Sequence, residues 1–410
     1  MRKSYLTLCI AVLINLCTLS IVKAQTFSLV KDINSGTASS LPGIPWESIS
    51  VNGRLYVVAD DGIHGRELWG SNGTEWSTYL LKDLSSSSTH TPTCLTDVNG
   101  TLYFQLSVSA PDKQQLWKSD GTEEGTVMVK PFDVINGNDA DFRIMGLTNV
   151  NGTLYFTAGT LENGSELWKS DGTEEGTVMV KDIVAGTGSS KPLALTNING
   201  TLYFTATNAA NGREVWKSDG TEEGTVMVKN INPGTADSDP RDFNYINGVT
   251  IFFANKGEGK WQLWKTDGTE AGTVQVNNVS ANQLTSFNNE PLLKATTARA
   301  FFFAGISASG SELWKTDGTE AGTVMVKDVN PAGTSAISSL AVANGWVFFV
   351  ANDGIHGHEL WKSDGSAAGT FMVKDIWTGS STGCTALTGP LFSINGKIVF
   401  IGNDGTATGN

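Results

Sequence analysis

Cysteine and histidine are scarce in this chain of 410 residues, with four of each. Cys9 and Cys17 fall in the first 24 residues, which leaves Cys94 and Cys384. They stand at non-equivalent places, and a fold of this size does not depend on the single disulfide they could form. No His-x-x-x-His pair, no phosphate loop and no nucleophile elbow in a strand–turn–helix setting occurs, so no catalytic residue, metal or cofactor is expected. Basic residues are also in deficit, 28 Lys and Arg against 41 Asp and Glu. Nucleic acid draws its affinity from Lys and Arg on phosphates, so it is excluded as a partner, and anionic membrane surfaces go with it. Helical periodicity is missing beyond the N-terminus.

The one long apolar run is Leu6 to Val22, after Arg2 and Lys3 and before the small-residue site Val22-Lys23-Ala24. This reads as a secretory signal peptide over residues 1–24, with Gln25 as the first mature residue. The run is short for a membrane span and Asn15 interrupts it. Without the leader the chain has 25 basic and 41 acidic residues, a net charge of −16. A soluble exported monomer is expected, secreted or at the cell surface, with no membrane insertion after cleavage.

What is abundant is repetition. A phrase typified by Glu166-Leu167-Trp168-Lys169-Ser170-Asp171-Gly172-Thr173 comes round seven times, on Trp69, Trp117, Trp168, Trp216, Trp264, Trp314 and Trp361. The spacings are 48, 51, 48, 48, 50 and 47 residues. A fixed period of this size marks a repeat architecture. Each repeat reads as four short strands, a to d. In the fourth they are Leu193 to Asn199, Thr201 to Thr205, Glu214 to Ser218 and Thr225 to Ile231. Asn-Gly joins a to b, as a tight hairpin demands. The sixth repeat has Thr297-Ala298 there, which predicts a distorted hairpin.

Four antiparallel strands per period make a propeller blade. The expectation is an all-β chain forming one β-propeller over residues 25–410, with eight four-stranded blades. Seven are complete in the sequence. Phe27 to Ile33 reads as a lone strand d, and Lys397 to Ile401 as a strand b, so the two ends share an eighth blade that is cut short of its strand c. Seven blades or an open array are the alternatives.

The Glu/Gln-Leu/Val-Trp-Lys-Ser/Thr-Asp-Gly-Thr phrase over residues 27–405 resembles the ELWxxDGT-repeat family of exported bacterial proteins. The resemblance implies propeller-like repeats in secreted or surface-attached proteins and no established catalytic activity. A weaker likeness is to Kelch and TolB-type repeats.

What recurs in every repeat builds the scaffold. One Trp per blade suits a repeating interface between blades. The Asp of each Asp-Gly-Thr suits its own turn better than calcium, which wants several carboxylates in one loop. Glu67, Glu166, Glu214, Glu312 and Glu359 give way to Gln115 and Gln262 without other change in the repeat, which suits a structural hydrogen bond.

Function is therefore sought where repeats disagree, in the d–a and b–c loops of one face. Trp46 and Trp377 break the period on either side of the shared blade. His64 and Arg66, and His356 and His358, sit in b–c loops of the flanking blades. These six residues form the candidate ligand site, suited to a glycan or a protein side chain. The expected function is a non-catalytic binding and adhesion scaffold. A polysaccharide hydrolase or lyase and a structural spacer are the rivals.

Overall fold

The computed structural model describes residues 30–35, 40, 48–84, 91–108, 113–133, 143–259, 261–281, 293–296, 299–305, 311–380, 382–384, 391–394 and 396–400. Among them the chain is all-β, with seven four-stranded antiparallel sheets, one two-stranded sheet and a three-residue 3-10 turn at Glu75–Ser77. Each four-stranded sheet takes its strands in chain order, which is the blade of a β-propeller. In blade 3 the strands are Met145–Val150, Thr153–Thr160, Gly164–Ser170 and Val178–Lys181. The chain divides into two compact units. The N-terminal unit holds blades 1 to 4. The C-terminal unit holds blades 5 to 7 and the two-stranded sheet of Phe392–Ile394 and Lys397–Val399.

The a–b turns need two residues with positive φ, and Asn-Gly supplies them: Asn151 at 52° and Gly152 at 86°, Asn199 at 50° and Gly200 at 84°. In blade 6 strand a shrinks to Leu293–Ala295 beside the missing Asn-Gly.

The c–d turn uses every conserved residue of its motif. Asp171 Oδ1 accepts from the Thr173 amide and hydroxyl. The Gly172 amide donates to Ser170 Oγ, which also bonds the Thr177 hydroxyl. Thr177 Oγ1 donates back to the Thr173 carbonyl. Gly176 is required because a Cβ there would lie 2.0 Å from Asp171 Oδ1. The same bonds recur in blades 2, 4, 5, 6 and 7. Blade 1 breaks the motif at two places together: Asn72 stands for the Asp and Ser77 for the Gly, and the Ser77 hydroxyl donates to Asn72 Oδ1.

The core lies between blades. Trp168 joins Leu154 and Phe156 of its own blade with Leu116, Val129 and Phe132 of blade 2. Trp216, Trp314 and Trp361 take the same place in later clusters. Six of the seven motif tryptophans are more than nine-tenths buried, with Trp168, Trp216 and Trp314 at 8%, 6% and 7% exposure, and Trp117 is partly buried. A one-residue register shift in strand d opposite each Trp, as at Leu167/Trp168, recurs blade after blade and fits the wide indole beside a narrow strand.

Lysines clasp each blade to the next within a unit. Lys118 reaches the Gly172 carbonyl, Lys169 that of Gly220, Lys265 that of Gly318 and Lys315 that of Gly365. A second lysine, at the end of strand d, reaches the last carbonyl of the same turn: Lys82 to Thr126, Lys181 to Thr225, Lys327 to Thr370. The expected strand Phe27 to Ile33 lies outside the described residues up to residue 29. From Val30 to Ile33 the backbone is bent and irregular. Even so, Lys31 donates to the Thr78 carbonyl at 2.7 Å and lies over the Trp69 ring, which is the work of a strand-d lysine.

Candidate functional site

The variable face is shaped by a buried carboxylate. In blade 3, Glu166 accepts from the amides of Ile183, Val184 and Ser190 and from the Ser190 hydroxyl. These donors belong to the d–a loop, so the carboxylate pulls the chain off strand c two residues after strand d ends. Glu67 does this to Leu84, Glu312 to Val329 and Ser335, and Glu359 to Ile376 and Gly383. The loop is then locked to the next blade, as Thr207 N–H donates to the Ser190 carbonyl and Asn352 N–H to that of Ser335. Burial pushes the Glu166 carboxyl up to about 7 against the pull of its four donors. Burial raises Glu312 and Glu359 as well.

The exchange of Glu for Gln does change the blade, contrary to the reading from sequence. Gln115 Oε1 accepts from the Trp117 indole, and Gln262 Oε1 from the Lys256 amide. Neither amide is spent on the d–a loop by these bonds, and strand d runs on. It covers Val127–Asp133 in blade 2 and Val274–Ala281 in blade 5, against four residues in each of the other blades. The sequence signal was present in the Gln itself, but only the geometry shows what the carboxylate was holding.

The b–c loops of blades 1 and 7 share a built form. In blade 1, Asp61 Oδ1 accepts from the amides of Ile63 and His64, and Asp61 Oδ2 meets His64 Nδ1 at 2.6 Å. In blade 7, Asp353 holds the amides of Ile355 and His356 and meets His356 Nδ1 at 2.7 Å. A carboxylate on Nδ1 fixes the ring and leaves Nε2 for an external group. The Asp partner raises each of the two imidazoles above the ordinary value, with Asp83 and Glu67 adding to it at His64, and Asp375 and Glu359 at His356. Burial works against the ionisation of Asp61 and Asp353, but the His and Ile donors bring both below the ordinary carboxylate value. At each loop tip an isoleucine stands in solvent, Ile63 at 83% exposure and Ile355 at 67%.

The other sequence candidates fall around these loops. Arg66 follows His64 in blade 1, half-buried at the start of strand c. His358 holds the matching place in blade 7, where burial lowers its pKa. Its carbonyl accepts from the Cys384 amide, and Cys384 is buried, its thiol pushed up to about 12. Trp377 is half-buried, and its amide donates to Glu359 beside His358. So His356, His358 and Trp377 gather about one blade of the C-terminal unit. His64 and Arg66 belong to the N-terminal unit. Trp46 lies outside the described residues. Sequence reasoning passed over Asp61, Asp353, Ile63 and Ile355, although the doubled phrase Asp-Gly-Ile-His-Gly contained all four.

No family model matches the chain, and no curated protein matches it. Solved structures are similar to it. A puromycin hydrolase is 14% identical with a TM-score of 0.44, over 85% of this chain and 57% of that one. A structure from an analysis of two prolyl endopeptidases is 12% identical with a TM-score of 0.49, over 79% and 48%. The β-propeller domain of the Trilobed protease from Pyrococcus furiosus is 10% identical with a TM-score of 0.41, over 80% and 96%. Likeness at this level speaks to the fold, and the chain spans about half the length of the hydrolase and the endopeptidase. The expectation of a non-catalytic adhesion scaffold is corrected here, because these neighbours are a hydrolase, an endopeptidase and a protease. Repeats announce a scaffold, and a scaffold does not declare which chemistry it serves.

Proposed function

We propose that this chain is the propeller of a peptide-hydrolysing protein, that the b–c loop of blade 1 and the b–c loop of blade 7 each offer a peptide contact of their own, and that the nucleophile comes from outside the propeller. The observation that carries the reading is the pinned imidazole beside an exposed isoleucine, built twice on Asp61–His64 and Asp353–His356. A peptide offers both complements: carbonyls for an imidazole N–H and apolar side chains for the isoleucine. Arg66 borders the blade 1 loop, and His358 and Trp377 border the blade 7 loop, and each would add to the contact at its own loop. The similar structures, with puromycin hydrolase and prolyl endopeptidase among them, point the same way. We further take the chain to be an exported member of the ELWxxDGT-repeat family, on its motif and its leader of residues 1–24.

Peptide binding tests this directly. The whole chain is titrated with a library of short unmodified peptides, followed by loop-specific NMR shifts. Binding that moves His64 or His356 and is lost in Ile63→Ser/Ile355→Ser supports the proposal. Oligosaccharides that shift the same loops where peptides do not would overturn it.

A further inference from the structure

Blade 1 departs from the c–d turn of the other blades at three places, and two of them explain each other. Asn72 and Ser77 replace the residues that blade 3 has as Asp171 and Gly176, and the Ser77 hydroxyl donates to Asn72 Oδ1. The third departure is Trp76. The other six turns carry Glu or Ala at its place, as with Glu175 in blade 3 and Ala271 in blade 5. Trp76 is 95% exposed, more than any other large apolar side chain among the described residues. An indole left in water gains nothing from the core, and six turns of the same form close without one.

Asn72-Gly73-Thr74 is also an Asn-x-Thr glycosylation sequon, and the chain has further sequons at Asn99, Asn151, Asn163, Asn199 and Asn278. Their settings differ. Asn99, Asn151 and Asn199 are a–b hairpin residues with φ of 52°, 52° and 50°. The Thr of each opens strand b and pairs across the hairpin with Val98, Val150 or Ile198. Asn163 donates its amide to Thr160, and the Ser165 of its sequon is buried. Asn278 lies inside strand d of blade 5. Among the described residues, only at Asn72 does the sequon bond to itself: the Thr74 hydroxyl donates to Asn72 Oδ1 at 3.1 Å. The Ser77 hydroxyl donates to the same oxygen. Two donors on Oδ1 draw the amide's electron density to oxygen and make its N–H more acidic. Nδ2 itself has no hydrogen-bond partner among the described residues, and the turn is exposed from Asn72 to Trp76.

We propose that Asn72 is an N-glycosylation acceptor and that the first sugar of its glycan lies against Trp76. The co-reactants are a glycosyl pyrophosphate and the transferase that uses it. Asn72 Nδ2 forms a bond to the anomeric carbon of the sugar. The bond from that carbon to the pyrophosphate oxygen breaks, and its electron pair leaves with the pyrophosphate. One Nδ2 proton passes to a base of the transferase. Oδ1 keeps its two hydroxyl donors throughout, so the turn retains its bonds. The C–H face of the sugar covers the apolar indole while its hydroxyls stay in water, which suits a ring standing clear of the blade. The Asp of the other six turns offers no nitrogen for this chemistry. The leader proposed for residues 1–24 would carry the turn to where exported chains meet such transferases.

The test maps peptides of the whole chain taken from the cells that make it. Trypsin cuts after Arg66 and Lys82, which isolates this sequon on one peptide. A glycan on residues 67–82, released by an N-glycosidase with conversion of Asn72 to aspartate, is expected, with bare peptides at Asn99, Asn151 and Asn199. Thr74→Ala should abolish the modification and Thr74→Ser should keep it. Asn72→Asp with Ser77→Gly rebuilds the turn of the other blades, so this variant should fold as the native chain does and carry no glycan. Trp76→Ser should keep the glycan but lose both the NMR contacts between sugar and indole protons and the rise in melting temperature that the glycan brings. A bare peptide from the native chain overturns the proposal. Equal modification of the hairpin sequons overturns it too, because the sequon alone would then account for the site. A glycan without contacts to the indole removes Trp76 from it.

Discussion

At the scale of single residues, the c–d turn explains why its motif is so fixed. Asp, Ser, both Thr and both Gly each carry a bond or vacate a space. Gly176→Ala is expected to drive the Asp171 carboxylate from its seat and to lower the melting temperature by a few degrees. Blade 1 supplies the remedy. Asp171→Asn with Gly176→Ser should recover part of that loss, and thermal melts of the two singles and the double would show a favourable coupling. The buried latch gives a pH signature. Glu166 titrates near 7 when folded and at its ordinary 4.5 when unfolded, so the native chain holds the extra proton between those values. Stability is therefore full below about 4.5 and falls as pH rises towards 7. The turn aspartates act in the opposite sense. Held down by Thr173 and its counterparts, they lend stability above their ordinary 3.8 that is lost as pH falls further. Melting temperature against pH should decline from 4.5 to 7 in the native chain, and Glu166→Gln should flatten that decline. A slope unchanged in the variant would remove Glu166 as its source.

At the scale of elements, substitutions travel in groups. Blade 1 has Gly70 where other blades have the clasping lysine, and a Cβ on Gly70 would meet the Tyr79 ring at 3.1 Å. Arg54 and Tyr79 have taken over the lysine's carbonyl. Gly70→Lys alone should destabilise the chain by roughly 1–3 kcal/mol through overpacking. Adding Tyr79→Val and Arg54→Thr should restore it, as read by urea unfolding. Much of this level was legible in the sequence. Period, Asn-Gly turns, strand order and the tryptophan interface follow from spacing alone, because a repeated scaffold repeats its signals. Strand d was read too long in the fourth repeat, where it ends at Lys229, because the latch that ends such strands acts from strand c, distant in sequence. The long strands of blades 2 and 5 were missed for the same reason. Both are outer edges, open to pairing with other chains. Pro131 interrupts the first, and a wide register shift between Gln262 and Trp264 distorts the second.

At the scale of the whole molecule, the clasp is made of lysines on backbone carbonyls rather than on carboxylates. Few ion pairs are seen among the described residues, and the chain carries a net charge of −13. Salt should therefore screen self-repulsion more than it weakens the clasp, and the melting temperature should rise between low and moderate ionic strength. A fall would mean that carboxylate pairs hold the blades. The candidate site was less legible than the scaffold. His64 and His356 were found because they sit in the b–c loops of the blades expected to flank the shared blade, but their aspartates looked like ordinary loop residues until the short Nδ1 contacts were seen. The chemistry served by the fold was not legible, since the scaffold signal is silent about it.

The carboxylate latch also tells an engineer where this protein will accept new material. In a latched blade, a longer d–a connection must abandon three or four bonds to a buried acid. Among the described residues of blades 2 and 5 no such bonds are seen, and the entropy of a longer loop grows slowly with its length. A foreign peptide grafted after Asp133 or Ala281 should leave the host foldable. The same graft after Lys181 should not, and pairing it with Glu166→Gln would convert a closed position into an open one.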